Sequence, residues 1–253
     1  MFNPLDYPFL VLALSFAVFW SSALVGAWFH ERTHRPEEDN REDFKFVLGG
    51  TLTLLALIIG FTFSMAVSRY EQRKNYEEDE ANAIGTEYVR AALLSPADAA
   101  KIRPLLRSYL DQRILRYKSR NHERLRQIDA ETGRLQIEMW SVVVKPACAQ
   151  LSPVTALTVS GMNDVLNSQG YTQAAWWNRI PIGAWILLVM ISIFCNLLVG
   201  YSSKGRGGFL LLILPVTLAI SLFLIADIDS LHAGLIRVQP QNLQSLAESL
   251  SSQ

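Results

Sequence analysis

Apolar residues concentrate in four uncharged blocks along this chain. The blocks cover residues 8–29, 46–67, 180–200 and 207–226. Each is about 20 residues long, which is enough for a helix to cross roughly 30 Å of hydrocarbon. The pattern therefore predicts four transmembrane helices. The first block lacks a basic start and a cleavage site, which favours an uncleaved helix over a signal peptide.

The polar segment 68–179 shows the periodicity of helices and no alternating strand pattern. Ser95 followed by proline is typical of a helix start. Residues on one face of the helix that follows recur every three or four positions: Ile102, Leu106, Tyr109, Arg113 and Tyr117. A further helix is predicted over about 121–144, and prolines and glycines predict shorter helices over 145–170. The chain is thus predicted to be an all-α integral membrane protein with a helical extramembrane layer.

These boundaries divide the chain into four segments. They are 1–67 with the first two spans, 68–179 as the extramembrane layer, 180–226 with the last two spans, and 227–253 as a C-terminal segment. An even number of spans places the termini and the layer on one side. Near the membrane ends the two sides carry six and five basic residues, so charge does not choose the orientation. The formal charge of zero gives no reason to expect nucleic acid.

The second span is rich in small and hydroxyl residues. Five of its positions recur at steps of three or four and share one helical face: Thr53, Leu57, Phe61, Ser64 and Ser68. In one interpretation the small residues let helices pack closely. In the other, this face lines an axis shared by several subunits, with Leu57 and Phe61 as an apolar constriction that gates by dewetting. A lone helix encloses no pore, so the second interpretation requires an oligomer.

Charged residues follow this span without a break in the helical pattern. Arg69, Arg73 and Lys74 form a basic group that would attract anions at a pore mouth. The acidic run 77–80 comes next, and its members point around the whole helix. We expect this run to be solvated or paired with basic residues.

Several stretches resemble known proteins. GFTFSMAVSRY at 60–70 resembles the pore-helix signature of bestrophins, and DIDSLHAG at 227–234 loosely resembles the acidic turn after their last span. Stretches 79–86 and 235–238 are similar to the bacterial bestrophin-like family, and this resemblance covers most of the chain. It implies a homopentameric anion channel in the lipid bilayer of a bacterial inner membrane. The termini and the helical layer would be cytoplasmic, the permeant species would be inorganic anions, and no cofactor is implied.

The resemblance also assigns roles to residues. It places the three apolar rings of the channel neck at Thr53, Leu57 and Phe61, although a large aliphatic residue is usual at the first position and its accompanying proline is absent. Leu231-His232 replaces a Pro-Phe pair in the post-membrane turn, and the acidic run of the animal calcium clasp is missing. Calcium gating is therefore not expected.

Two carboxylates end the fourth span. Asp227 and Asp229 lie where a helix dipole disfavours negative charge. They require a basic residue, free backbone amides or a cation as a partner. We favour a structural role in the post-membrane turn over a cation site.

Two further functions compete with the channel. One is a non-conducting scaffold or sensor that binds a partner through its helical layer. The other is a zinc-dependent membrane enzyme, because His30-Glu31-Arg32-Thr33-His34 matches the H-E-x-x-H pattern. Pro36 lies two residues after His34 and leaves little helix to hold His30 and His34 in place, which makes this the weaker alternative.

The ring side chains of Trp176 and Trp177 are predicted to anchor the third span at the headgroup level.

Overall fold

The computed structural model describes residues 4–32, 39–149, 152–203, 209–230 and 234–252. Within these ranges the chain is helical and contains no strand, which confirms the all-α class. The helices are α1 (Pro8–Arg32), α2 (Asp39–Arg90), α3 (Pro96–Lys118), α4 (His122–Ala149), α5 (Pro153–Trp177), α6 (Ile182–Ser202), α7 (Leu210–Asp229) and α8 (Gln241–Ser251).

Among the described residues, four helical segments are long and apolar enough to cross a membrane, as predicted. The uncharged blocks place them in α1, α2, α6 and α7. Helix α2 has 52 residues. At 1.5 Å per residue it extends for about 78 Å, more than twice the thickness of the hydrocarbon.

The chain forms two compact units, and each is assembled from two separate pieces of sequence. The first unit contains Met1–Arg69 and Arg179–Arg237, and we call it the membrane unit. The second contains Tyr70–Asn178 and Val238–Gln253, and we call it the helical unit.

In the membrane unit, α1 and α6 approach each other through glycines. A Cβ atom at Gly26 would collide with the carbonyl oxygen of Leu197 on α6, and one at Gly200 would collide with that of Ala23 on α1. Without a side chain on either glycine the two backbones come into direct contact. This is how small residues hold transmembrane helices together.

In the helical unit, the predicted face of α3 forms the centre of the core. Its positions Ile102, Leu106, Tyr109 and Arg113 are buried. The helix also begins where the sequence predicts, because the Ser95 hydroxyl accepts a hydrogen bond from the backbone N–H of Asp98 at 3.2 Å. The remainder of this core comes from α2, α4, α5 and α8.

Helix α5 is longer than predicted. The prolines and glycines of 145–170 suggest short helices, yet α5 runs for 25 residues and α4 continues through Pro146 to Ala149. Ser152 caps the start of α5 in a reciprocal pair with Thr155, and the proline occupies the first turn, where its missing N–H costs nothing. Gly161 faces the ends of the Glu87 and Arg90 side chains of α2, which lie where a Cβ would be. The glycine therefore packs against α2 and does not end the helix.

Candidate functional site

The five positions predicted to share a face of α2 are all exposed on the single chain. Leu57 and Phe61 expose 53% and 66% of their surface. Thr53, Ser64 and Ser68 are exposed beside them. Each of these side chains leaves much of its surface uncovered by its own subunit. Lipid, or another copy of the chain, must cover them.

The opposite side of the same helix is buried. Leu55, Thr62 and Ala66 are almost inaccessible and lie roughly half a turn away from Leu57 and Phe61. Helix α2 therefore has one packed face and one free face within the membrane unit. The free face is apolar at its centre and carries hydroxyl groups towards both ends.

The glycines of this span do not pack against other parts of the same chain. A Cβ atom placed on Gly49, Gly50 or Gly60 would meet nothing within 4 Å. The Thr53 hydroxyl donates to the carbonyl of Gly49, one turn earlier, at 2.9 Å, so its polar hydrogen is satisfied inside the helix. Within one subunit these three glycines therefore do not mediate close helix packing.

The three residues of the basic group lie in different environments. Arg73 is buried, and its Nε donates to the carbonyl of Ala175 on α5 at 3.4 Å. Lys74 is exposed, whereas Arg69 is half-buried and places a guanidinium nitrogen 3.8 Å from the sulfur of Met65. Arg73 thus lies on the side of α2 that packs against α5 within the helical unit.

Two members of the acidic run are buried and paired. Glu77 accepts hydrogen bonds from the backbone N–H of Leu243 at 3.0 Å and from the side-chain amide of Asn242 at 2.7 Å, both on α8. Glu80 forms a fully buried ion pair with Arg113 of α3. The other two acidic residues of the run are exposed. The partners come from distant helices, so sequence spacing did not reveal them.

Asp227 fixes the turn that follows α7. Its two carboxylate oxygens accept hydrogen bonds from the backbone N–H groups of Leu235 and Ile236, each at 2.8 Å. A Cβ at Gly234 would collide with the backbone oxygen of Asp227 and the hydroxyl of Ser230. The glycine lets the chain approach closely enough for both bonds. Leu231 and His232 lie outside the described residues.

Asp229, the last residue of α7, contacts two residues that lie just before α6. It accepts a hydrogen bond from the backbone N–H of Ile180 at 3.3 Å and lies 3.4 Å from Nε of Arg179. Arg179 also pairs with Asp6. Both carboxylates of the turn therefore have amide or guanidinium partners, and such partners offset the unfavourable helix dipole.

The histidine pattern is only partly described. His34 lies outside the described residues. His30 packs edge-on against the ring of Tyr201 on α6, with ring centroids 5.3 Å apart. Across the described part of the chain, no group of three or more His, Cys, Asp or Glu residues is arranged to hold a metal ion.

Comparison with known proteins gives a family and a fold. A family model described as a bestrophin-like domain matches residues 14–243. Among solved structures, a variant of a bacterial bestrophin homologue from Klebsiella pneumoniae aligns with a TM-score of 0.67 at 12% identity, covering 95% of this chain and 96% of that chain. A second variant aligns with a TM-score of 0.64 at 14% identity, covering 97% and 98%. At such identities the likeness concerns the fold alone. No protein of curated function matches the sequence.

Proposed function

Because the chain belongs to the bestrophin-like family, we propose that it forms an oligomeric ion channel lined within the membrane by the free face of α2. Leu57 and Phe61 form its apolar constriction, and Thr53 lies at the outer rim. Wetting of such a constriction controls the passage of ions. The oligomer is a pentamer in a bacterial inner membrane, with the termini and helical unit in the cytoplasm.

One observation carries this proposal. Leu57 and Phe61 are exposed on the single chain while the opposite face of α2 is packed. A face turned to lipid has no need of hydroxyl groups, yet Thr53, Ser64 and Ser68 lie on this one. A shared aqueous axis accounts for both the apolar centre and the polar ends.

The permeant ions are inorganic anions, by resemblance to the anion-conducting bestrophins. Lys74 is exposed and supplies positive charge, whereas the Arg73 guanidinium is held against α5. Arg69, half-buried beside Met65, adds a second positive charge. Fields of this sign raise the local concentration of anions.

Flux measurements on reconstituted protein test the proposal. Chloride should pass through the wild type, and Leu57→Ala or Phe61→Ala should raise the current several-fold, because a wider and less apolar constriction wets more readily. Leu187→Ala and Phe194→Ala are matched controls, since these residues are similarly exposed on α6. They should leave the current unchanged.

The remaining outcomes discriminate among the alternatives. Equal effects from the α6 controls would contradict the assignment of the α2 face. Potassium flux without chloride flux would support an ion channel and contradict the proposed selectivity for anions. Sealed oligomers that purify with another protein would favour the scaffold or sensor instead.

A further inference from the structure

The turn between α3 and α4 carries a concentration of exposed positive charge. We call it the basic turn, and its exposed basic residues are Lys118, Arg120, Arg124 and Arg126. Glu123 is the acidic residue among them, and its nearest basic contact is Arg126 at 4.0 Å. Asn121 fixes the backbone here, because its side-chain oxygen accepts from the N–H of Glu123 at 2.8 Å and of Arg124 at 3.2 Å. The turn therefore presents ordered positive charge to its surroundings.

The basic turn lies beside the end of α5. The ring of Tyr117 packs edge-on against Trp176 at a centroid distance of 5.1 Å, and the guanidinium of Arg116 lies 4.4 Å from the same ring. Trp176, which we expect at the headgroup level, is buried in this contact. The next residue, Trp177, exposes 74% of its surface.

The end of α5 is close to the membrane along the chain. Only residues 178–181 separate Trp177 from Ile182, where α6 and its uncharged block begin. Even a fully extended chain covers at most about 18 Å between Trp177 and Ile182. An exposed tryptophan so near a span belongs at the headgroup level. The packing of Tyr117 on Trp176 then brings the basic turn towards the same layer.

We propose that the basic turn binds the headgroups of anionic phospholipids in the leaflet that the chain enters at α6. Their phosphates complement the positive charge of the turn, and a guanidinium can contact two phosphate oxygens at once. Each basic residue near an anionic surface strengthens association about fivefold. This contact would hold the α3–α4 end of the helical unit at the membrane, independently of any ion flux.

Hydrogen exchange on the full chain tests this in lipid nanodiscs. Amides of residues 117–127 should exchange several-fold more slowly in discs that contain phosphatidylglycerol than in discs of phosphatidylcholine alone. Because salt screens exposed charges, about 0.5 M sodium chloride should remove most of the difference. The double variant Lys118→Gln with Arg124→Gln should lose the difference at low salt as well.

A matched control removes the same charge from the other ends of the same helices. Lys101 on α3 and Lys145 on α4 are exposed, and the double variant Lys101→Gln with Lys145→Gln should retain the effect of phosphatidylglycerol. Equal exchange of the wild type in the two lipids would overturn the proposal, as would equal loss in the control. Equally slow exchange of these amides in both lipids would indicate a contact between subunits. Slow exchange only after addition of cell extract would indicate a protein partner. Either result would also overturn it.

Discussion

The carboxyl group of Glu87 is buried in the helical unit, where α2 meets Gly161 of α5. Its side chain is 1% exposed, and its Oε2 atom has no hydrogen-bond partner. Burial raises the pKa of Glu87 from an ordinary 4.5 to about 8; Arg90 lowers the value and Asp164 raises it. The folded protein therefore holds a proton here at neutral pH, whereas the unfolded chain does not.

This proton makes stability depend on pH. Between pH 4.5 and 8 the folded state binds one proton more than the unfolded state at this position, so the free energy of unfolding falls as pH rises. The slope is at most about 1.4 kcal/mol per pH unit and levels off above pH 8. Glu87→Gln mimics the protonated form and should flatten this part of the profile. Thermal unfolding in detergent from pH 5 to 9 measures it.

The control for this prediction is an exposed glutamate on the same helix. Glu78→Gln removes a carboxylate that is already solvated, so its profile should follow that of the wild type. If Glu87→Gln and Glu78→Gln behave alike, Glu87 does not hold the proton in the folded state.

The crossing of α1 and α6 depends on Gly200, since the backbone of α1 occupies the space that a side chain would need. Backbone atoms cannot move aside as the end of a flexible side chain can. Gly200→Ala should therefore force the helices apart and lower stability by a few kcal/mol, within the range for overpacked interiors. The thermal unfolding midpoint in detergent should fall accordingly.

Gly183→Ala on the same helix provides the comparison. A Cβ at Gly183 meets nothing within 4 Å. Because alanine is the better helix former, this change should be neutral or stabilising by up to about 1 kcal/mol. A fall in midpoint as large as that of Gly200→Ala would mean that the α1–α6 contact does not explain the loss of stability.

Among the helices, local signals predicted starts and faces better than lengths. Ser95 and the Ile102 face were visible in the sequence because capping and periodicity act over a few residues. The length of α5 was not, because Gly161 is tolerated through its contact with α2, which is distant in sequence. The same limit applies to Arg73: its residue type suggested a pore mouth, but only the position of α5 shows that it is buried.

The free face of α2 makes a prediction about the whole assembly. One subunit leaves Leu57 and Phe61 uncovered, so a channel requires several copies around them. In mild detergent the protein should have five times the 28.4 kDa mass of the chain. Light scattering coupled to size-exclusion chromatography measures this after the detergent is subtracted. A monomer would contradict the channel outright, and another closed ring would contradict the pentamer alone.

For the molecule as a whole, the class and the number of spans could be predicted because an uncharged block of about 20 residues matches the thickness of a bilayer. The free face of α2 could be proposed from its spacing. Only the three-dimensional structure shows which face of α2 is packed and which is free. Leu55 and Leu57 are equally apolar in the sequence, yet Leu55 is buried and Leu57 is exposed.

The hydrogen bond from the backbone N–H of Leu243 to Glu77 affects the order of folding during synthesis. Translation delivers Glu77 long before α8, and the last two spans are synthesised between them. A nascent chain therefore carries this acceptor without its donor until α6 and α7 have left the ribosome. The helical unit is then completed only after synthesis of the spans, which ties its maturation to their insertion into the bilayer.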